Sequence, residues 1–596
     1  MGNGVYSWDD FNVYAAPDKL SSSDKEFQSF NGGITGKGSG FYGVEDCGET
    51  GAIDSLNSDF EFYGDESMVA TGFGFSKQGL QQQQQNFSGY VLLDGLSFNA
   101  RSPLVSTCFK EITELGQISS GVCEDIDKTK KGKHQPICLS SLGLLKTYGN
   151  GFKRLHGKRR TDDDITVSDA QDDEDQKFST EEIMRIAGDM FIKSCGQTVD
   201  GISMIDHPFN VCYSGLSDQE RRDVELAVLL LAAAEKLGCQ QYESASRLLK
   251  QCDYMSSKTG NPVQRVVYYF TEALREKIKR SSSNGLKWRP FFNLEEAIIT
   301  MNPTVLAYHR GFPFAKATQF AGVQAIVEHV AEAKKVHIID LAIRHGMHWT
   351  ILMQALAPRQ HECGLELLKI TAISTEENAL VENTGNRLSS FAQSLGIPLV
   401  FKVVVVSDML DLKEDLFEID AEESIAVYAA FAFRRMIVMP NRIENIMRVL
   451  RVINPCLMVV AEIEANHNSP IFVNRFIEVL FFFSAYFDCS ATCMKEDSKN
   501  REIVESAFFG EGILNMIATE GDERKVRHVK FDVWREFFVR YRIEEAELSM
   551  SSMYQVDLIL KSFACGTSCT LHKNGKGLLI GWKGTPIHSI SVWKFL

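Results

Sequence analysis

Val336-His337-Ile338-Ile339-Asp340, continuing from Leu341 to Trp349 as LAIRHGMHW, is the stretch on which the reading of this chain turns. A mostly apolar run ends on a carboxylate and passes through a short loop into helix-like sequence. Open α/β sheets take their ligands at that junction, outside the carboxyl ends of the strands. The loop has no glycine before Gly346 and carries bulky Ile343, Arg344 and His345. Backbone N–H groups approach a phosphate closely only where side chains are small, so a dinucleotide fingerprint is absent. The stretch predicts an enzyme-like scaffold whose crevice bulky side chains fill in.

Working outward, apolar runs of strand length recur at 367–373, 399–406, 424–430 and 456–463. Amphipathic helical patterns lie between them at 347–356, 377–395 and 442–453. Such an alternation predicts a mostly parallel sheet covered on both faces. Two further strand-like runs flank Lys583-Gly584-Thr585-Pro586 and predict a terminal antiparallel pair. The expected fold class is α/β and Rossmann-like, similar in architecture to class I methyltransferases.

Helical sequence precedes this core. Ser179 with Glu182, and Ser217 with Glu220, have the spacing of capping boxes. The second opens an apolar helix that Gly238 is expected to cap. Further helices are predicted over about 240–257 and from Asn261-Pro262 to about 279. The domain division is thus a helical cap at about 178–300 and an α/β core at about 312–596. Leu226, Leu229 and Leu230 form an L-x-x-L-L spacing that fits a partner's groove, although core packing is the simpler reading of so apolar a helix.

The 596 residues carry a formal charge of −15, which excludes a generally cationic surface for gripping phosphate backbones. Arg524, Lys525, Arg527, His528 and Lys530 form the one basic cluster inside the predicted fold, so direct DNA binding stays as an alternative. The 14 cysteines are scattered and read as reduced thiols of an intracellular protein. Cys489/Cys493 and Cys565/Cys569 are C-x3-C pairs, each without an obvious partner pair, and no metal is predicted. The apolar run at 479–487 is far shorter than the roughly 20 residues of a membrane span. No membrane role is expected.

Residues 1–177 are rich in Gly, Ser, Asp and Phe and show no sustained period, which predicts a disordered tail. Within it Lys153, Arg154, Lys158, Arg159 and Arg160 read as a nuclear-import signal, followed by an acidic linker.

Taken in order, these motifs resemble the plant GRAS family of transcriptional regulators. VHIID is the family's central motif; leucine-rich regions lie near 220–280 and 382–412. HNSPIFVNRFIEVLFFFSAYFDC falls in the family's PFYRE region, and Ser591-Val592-Trp593 stands at its terminal Ser-Ala-Trp region. The wording of the 474–489 segment is similar to the DELLA type. The tail holds neither the D-E-L-L-A nor the T-V-H-Y-N-P segment through which that type meets the gibberellin receptor, so that contact is not expected. Where relatives have N-C-M-F-x-L-H this chain has residues 427–433, and Arg542 replaces a glycine.

The resemblance implies a nuclear scaffold that binds DNA-bound factors, zinc-finger proteins of the indeterminate-domain type among them, and other GRAS proteins. It implies no catalytic residue and no cofactor. Phe472, Arg475, Phe476, Glu478, Trp582 and Trp593 are the expected partner determinants. Asp340 either takes a ribose or cationic ligand or caps its own loop, capping being preferred. His337 reads as a core histidine. Arg344, His345 and His348 form a crevice loop suited to an anion or a partner. An S-adenosylmethionine-dependent methyltransferase is the enzymatic alternative.

Overall fold

The computed structural model describes residues 144–145, 178–196, 215–282, 294–300, 302–360, 364–375 and 379–596. The expectations for the tail, including the basic cluster of Lys153, Arg154, Lys158, Arg159 and Arg160, lie outside the described residues.

The cap consists of α1 (Thr180–Gly196), α2 (Asp218–Gly238), α3 (Tyr242–Met255) and α4 (Pro262–Ser282). Both capping boxes form. The Ser179 amide donates to Glu182 Oε2 at 2.8 Å, and the Ser217 amide donates to Glu220 Oε2 at 2.7 Å. Each hydroxyl in turn accepts a first-turn amide, which satisfies donors that a helix start otherwise leaves open. Asn261 Oδ1 accepts the Gln264 amide and starts α4. Gly238 is not a left-handed cap. It is the last helical residue, and the positive φ falls on Gln240. Its missing side chain instead admits Val473, whose Cγ2 would stand 2.5 Å from a Cβ there.

Helices α5 (Leu294–Thr300), α6 (Pro303–Gly311) and α7 (Phe314–His329) lead to β1 (Lys335–Asp340). Then come α8 (Met347–Leu356), β2 (Leu367–Ser374), α9 (Ala379–Ser394), β3 (Leu399–Val405), β4 (Glu423–Ala430), α10 (Pro440–Ile453) and β5 (Leu457–Ile463). These strands pair in parallel in the order β3-β2-β1-β4-β5. After β5 follow α11 (Phe472–Cys493), α12 (Ser498–Val504), a π-helical segment (Glu505–Gly510), α13 (Glu511–Ala518), α14 (Phe531–Val539), β6 (Ile543–Ala546) and α15 (Met550–Lys561). The chain closes with β7 (Cys569–Asn574), β8 (Gly577–Trp582) and β9 (Thr585–Phe595). Strand β9 runs antiparallel to β5, and β8 and β7 extend the sheet beyond it. The fold is the expected α/β, Rossmann-like arrangement.

Two apolar clusters cover the sheet. Val336 and Ile338 face the one shared with the cap and α11, while Ile339 faces the one under α10 and α14, as strand alternation requires. Helix α11 is long and apolar enough by composition to cross a membrane, yet most of it is buried between cap and sheet. Its burial explains the composition.

The cysteine expectation is corrected in part. Cys493, at the end of α11, is joined to Cys565 by a disulfide across 72 residues of sequence. Cys489 Sγ lies 3.5 Å from Cys493 Sγ, so the two C-x3-C pairs converge, a meeting that only the fold brings about. Cys252 and Cys489 are buried free thiols.

Candidate functional site

The site begins where β1 ends. Asp340 Oδ1 accepts the Ala342 amide at 3.0 Å, and Oδ2 accepts the Trp349 indole N–H at 2.9 Å. Both oxygens therefore close the loop onto the first turn of α8. That is the capping role, and it leaves neither oxygen unengaged. His337 is buried between Glu423 Oε2 and Thr371 Oγ1, each at 2.8 Å. Burial, with Lys369 nearby, pushes its pKa down to about 4. A neutral ring with its proton on Nδ1 satisfies both contacts, which is the behaviour of a core histidine.

Gly346 is the loop's one glycine, and its φ of 69° places it in the left-handed region. A Cβ there would meet Thr384 Cγ2 at 2.8 Å and Leu388 Cδ1 at 3.1 Å. The small residue thus serves the close approach of α9 rather than of a cofactor.

Beyond the loop lies a cavity of about 320 Å³, so the expectation of a filled crevice is overturned. Ile343 turns into the apolar core, and small Ala342, Ala430 and Gly512 contribute to the wall. Arg344, His345 and His348 all line it, as the sequence grouped them. His345 Nδ1 accepts the Met347 amide at 3.1 Å, and the His348 ring stacks on Tyr428 with centroids 4.8 Å apart. His348 Nε2 is 3.4 Å from Asp340 Oδ2 without the alignment of a hydrogen bond.

Other lining residues arrive from distant segments and were not anticipated: His309, Phe431, Arg434 and His588. Burial depresses the pKa of His309 to about 4 and of His588 to about 3, and holds His345 and His528 well below the ordinary value. These rings are neutral near pH 7. Behind Arg434, burial pushes the Glu462 carboxyl up to about 7 against the pull of that guanidinium. Phe431 has φ 56°, an unusual conformation for a bulky residue, and its ring lies 4.7 Å from the Arg344 guanidinium and 5.6 Å from that of Arg434. The one local hint was the departure from the family wording at 427–433.

The expected partner determinants mostly point inward. Arg475, Phe476, Glu478, Trp582 and Trp593 are buried, as are Leu226 and Leu230; Phe472 and Leu229 are half-buried. Arg475 donates to the Met516 carbonyl at 2.8 Å and the Ser469 carbonyl at 2.7 Å. The Trp582 indole donates to Asp488 Oδ2, and that of Trp593 to Ser591 Oγ. A buried side chain is placed to shape a surface rather than to touch a partner, whereas half-buried Phe472 and Leu229 keep part of their surface accessible. The basic cluster is split in the same way: Arg524, Arg527 and His528 are buried, and Lys525 and Lys530 are exposed. Arg527 donates to Asn468 Oδ1 and the Gly521 carbonyl, and His528 Nδ1 lies 2.9 Å from His467 Nδ1. No continuous cationic face results from these five residues.

The GRAS domain family model matches residues 226–594. This chain belongs to the GRAS family. It is 29% identical over 379 residues to DELLA protein RGL1 of Arabidopsis thaliana, spanning 63% of this chain and 71% of that one. With DELLA protein RGL3 of the same plant it shares 30% over 377 residues, spanning 63% and 70%. With DELLA protein GAI1 of Vitis vinifera it shares 27% over 383 residues, spanning 64% and 63%. Among solved structures, SCL7 of Oryza sativa superposes with a TM-score of 0.52 at 23% identity, covering 62% of this chain and 99% of that one, which supports the fold. The GRAS chain described here is therefore a plant regulatory protein of the transcription-regulating, DELLA-like kind.

Proposed function

We propose that this GRAS protein is a nuclear scaffold that controls transcription by holding DNA-bound factors and other GRAS proteins, through a domain at about 178–596. The observation that carries the reading is where exposed apolar side chains sit. Tyr254, 93% exposed, and Tyr242 stand on α3 of the cap. Met550, Tyr554 and Leu558, spaced four apart, form an exposed stripe along α15, and Ile471 leads into α11. Exposed apolar groups on helices are the usual means by which helical surfaces hold other proteins.

The cap is the proposed dimerising element. Ile471 and half-buried Phe472, with the C-terminal region, are the proposed dock for zinc-finger factors of the indeterminate-domain type, and Arg475, Phe476, Glu478, Trp582 and Trp593 hold that dock in shape. Lys153, Arg154, Lys158, Arg159 and Arg160 are the proposed import signal. Contact with the gibberellin receptor is not part of the proposal.

The test uses the full chain. It is expected to enter nuclei and to bind both an indeterminate-domain factor and a second GRAS protein in pairwise assays. Ile471→Asp is expected to lose the factor and keep the GRAS partner; Tyr254→Asp is expected to do the reverse. Exclusion from nuclei, or no binding to either partner by the wild type, refutes the reading. Calorimetric titration with S-adenosylmethionine tests the enzymatic alternative, against which the full engagement of Asp340 speaks. A gel shift with the full chain tests direct DNA binding.

A further inference from the structure

We infer that the crevice is a binding site for a small organic anion with an aromatic body, a carboxylate or a phosphate ester. Three independent observations meet there. The first is space: about 320 Å³ lies at the low end of the roughly 300–1,000 Å³ of small-molecule pockets. The second is charge. Arg344, Arg434, Arg435 and Lys525 line the cavity against one lining carboxylate, Glu511. Glu462 stands behind Arg434 and is drawn toward its neutral form.

The third is a set of polar atoms the fold itself does not use. His348, His528 and His588 are each more than nine-tenths buried and line the cavity, and His348 Nδ1, His528 Nε2 and His588 Nδ1 have no hydrogen-bond partner. Arg434 Nε is likewise unpartnered. A buried unpartnered polar atom costs about 1–3 kcal/mol, and four such atoms belong to side chains that line this one cavity.

The aromatic body follows from the walls. Phe431 is held at positive φ with two guanidiniums over its ring, a strained arrangement of the kind that collects at functional sites. The π-helical segment brings Phe508 and Phe509 to the same lining. Such segments are rare and recur at ligand sites. An anion held by the cationic side chains of the lining places its ring among these aromatic side chains. Adenosine sulfonium compounds carry the wrong charge for this lining.

The experiment titrates the full chain with phenyl phosphate, benzoate, inorganic phosphate and benzyl alcohol, read by calorimetry and by thermal unfolding. Phenyl phosphate or benzoate is expected to bind one molecule per chain and raise the unfolding temperature; which of the two binds tighter identifies the anionic group. Benzyl alcohol and inorganic phosphate, each lacking one half of the recognised chemistry, are expected to bind at least about tenfold more weakly. Arg434→Gln is expected to weaken the aryl anion by about tenfold with the fold intact by circular dichroism. Should that variant not fold, Lys525→Gln, exposed at the lining, is expected to weaken it less but in the same direction. Equal binding of benzyl alcohol, absence of binding by both aryl anions, or indifference to both substitutions overturns the inference. Failure here leaves the scaffold reading standing, because that reading rests on other surfaces.

Discussion

Arg475→Met separates a contact residue from a supporting one. The guanidinium is fully buried and joins the Ser469 carbonyl, ahead of α11, to the Met516 carbonyl in the last turn of α13. A helix end leaves its last carbonyls without helical partners, and this arginine supplies one. Its second nitrogen on the terminal fork pairs with Glu520, whose side chain is 50% exposed. Burial alone raises the Glu520 pKa, but Arg475 and Lys277 together hold it below the ordinary value. Methionine keeps most of the volume, so the loss is polar. Two buried carbonyls that lose this donor cost about 1–2 kcal/mol each, at the lower end of the range for buried acceptors, since the Ser469 carbonyl keeps a long contact from Arg524 at 3.5 Å. The half-exposed ion pair adds up to about 1 kcal/mol after solvent screening. The sum is about 2–5 kcal/mol, a large share of a stability of about 5–15 kcal/mol. Urea unfolding of the full chain, followed by circular dichroism, is the assay. A loss below about 1 kcal/mol combined with abolished binding of an indeterminate-domain factor would refute the supporting role and restore Arg475 as a direct contact.

Glu462 gives a pH test. Its folded pKa of about 7 exceeds the ordinary 4.5, so the stability it lends is full below about pH 4.5 and is lost as pH rises through 7. Glu462→Gln is therefore expected to gain on the wild type at about pH 8 relative to about pH 5 in urea titrations. Buried His309, His337, His467 and His588, with pKa values at about 3–4, act in the opposite sense: their stability is present above 6.5 and falls away with acid, which thermal unfolding between about pH 7 and 4 checks. Gly346→Ala is expected to cost about 2–4 kcal/mol, from the left-handed backbone and the clash with Thr384, as measured by urea midpoint. Arg542 occupies φ 55°, a backbone region that favours glycine, so Arg542→Gly is expected to stabilise by about 0.5–1 kcal/mol in the same assay. Cys493→Ser is expected to lower stability by about 2–4 kcal/mol under non-reducing conditions and to abolish any further loss on adding reductant.

The parallel strands were legible because each is a nearly unbroken apolar run; burial on both faces demands that composition of β1, β2, β4 and β5, while the edge strand β3 carries it with Val400 and Val405 exposed. The capping boxes were legible because their chemistry is local. Strands β6, Ile543–Ala546, and β7, Cys569–Asn574, were not: both are polar, and only pairing with β9 and β8 makes them strands. For the site, Arg344, His345 and His348 share one loop and could be grouped by eye. His309, Arg434, His528 and His588 come from four separate segments, and no spacing announces their meeting. Arg475 and the tryptophans turn inward, which polarity and size in a sequence do not announce. The left-handed Phe431 was invisible for a related reason, since backbone strain is imposed by surroundings.

Asp488 sits on α11 and accepts from the Thr180 amide at 3.1 Å and the Trp582 indole at 2.7 Å, with Lys583 Nζ at 2.8 Å. One carboxylate thus fastens the first helix of the cap and the final hairpin, which lie some four hundred positions apart in the chain. In genetic terms, lesions in α1 and lesions in the β8–β9 turn damage one shared element. Their effects should be epistatic, with the double variant less impaired than the sum of the singles, as interacting groups in one network require. Truncation from either side then reads as the same phenotype, and neither end of the domain is a detachable cassette.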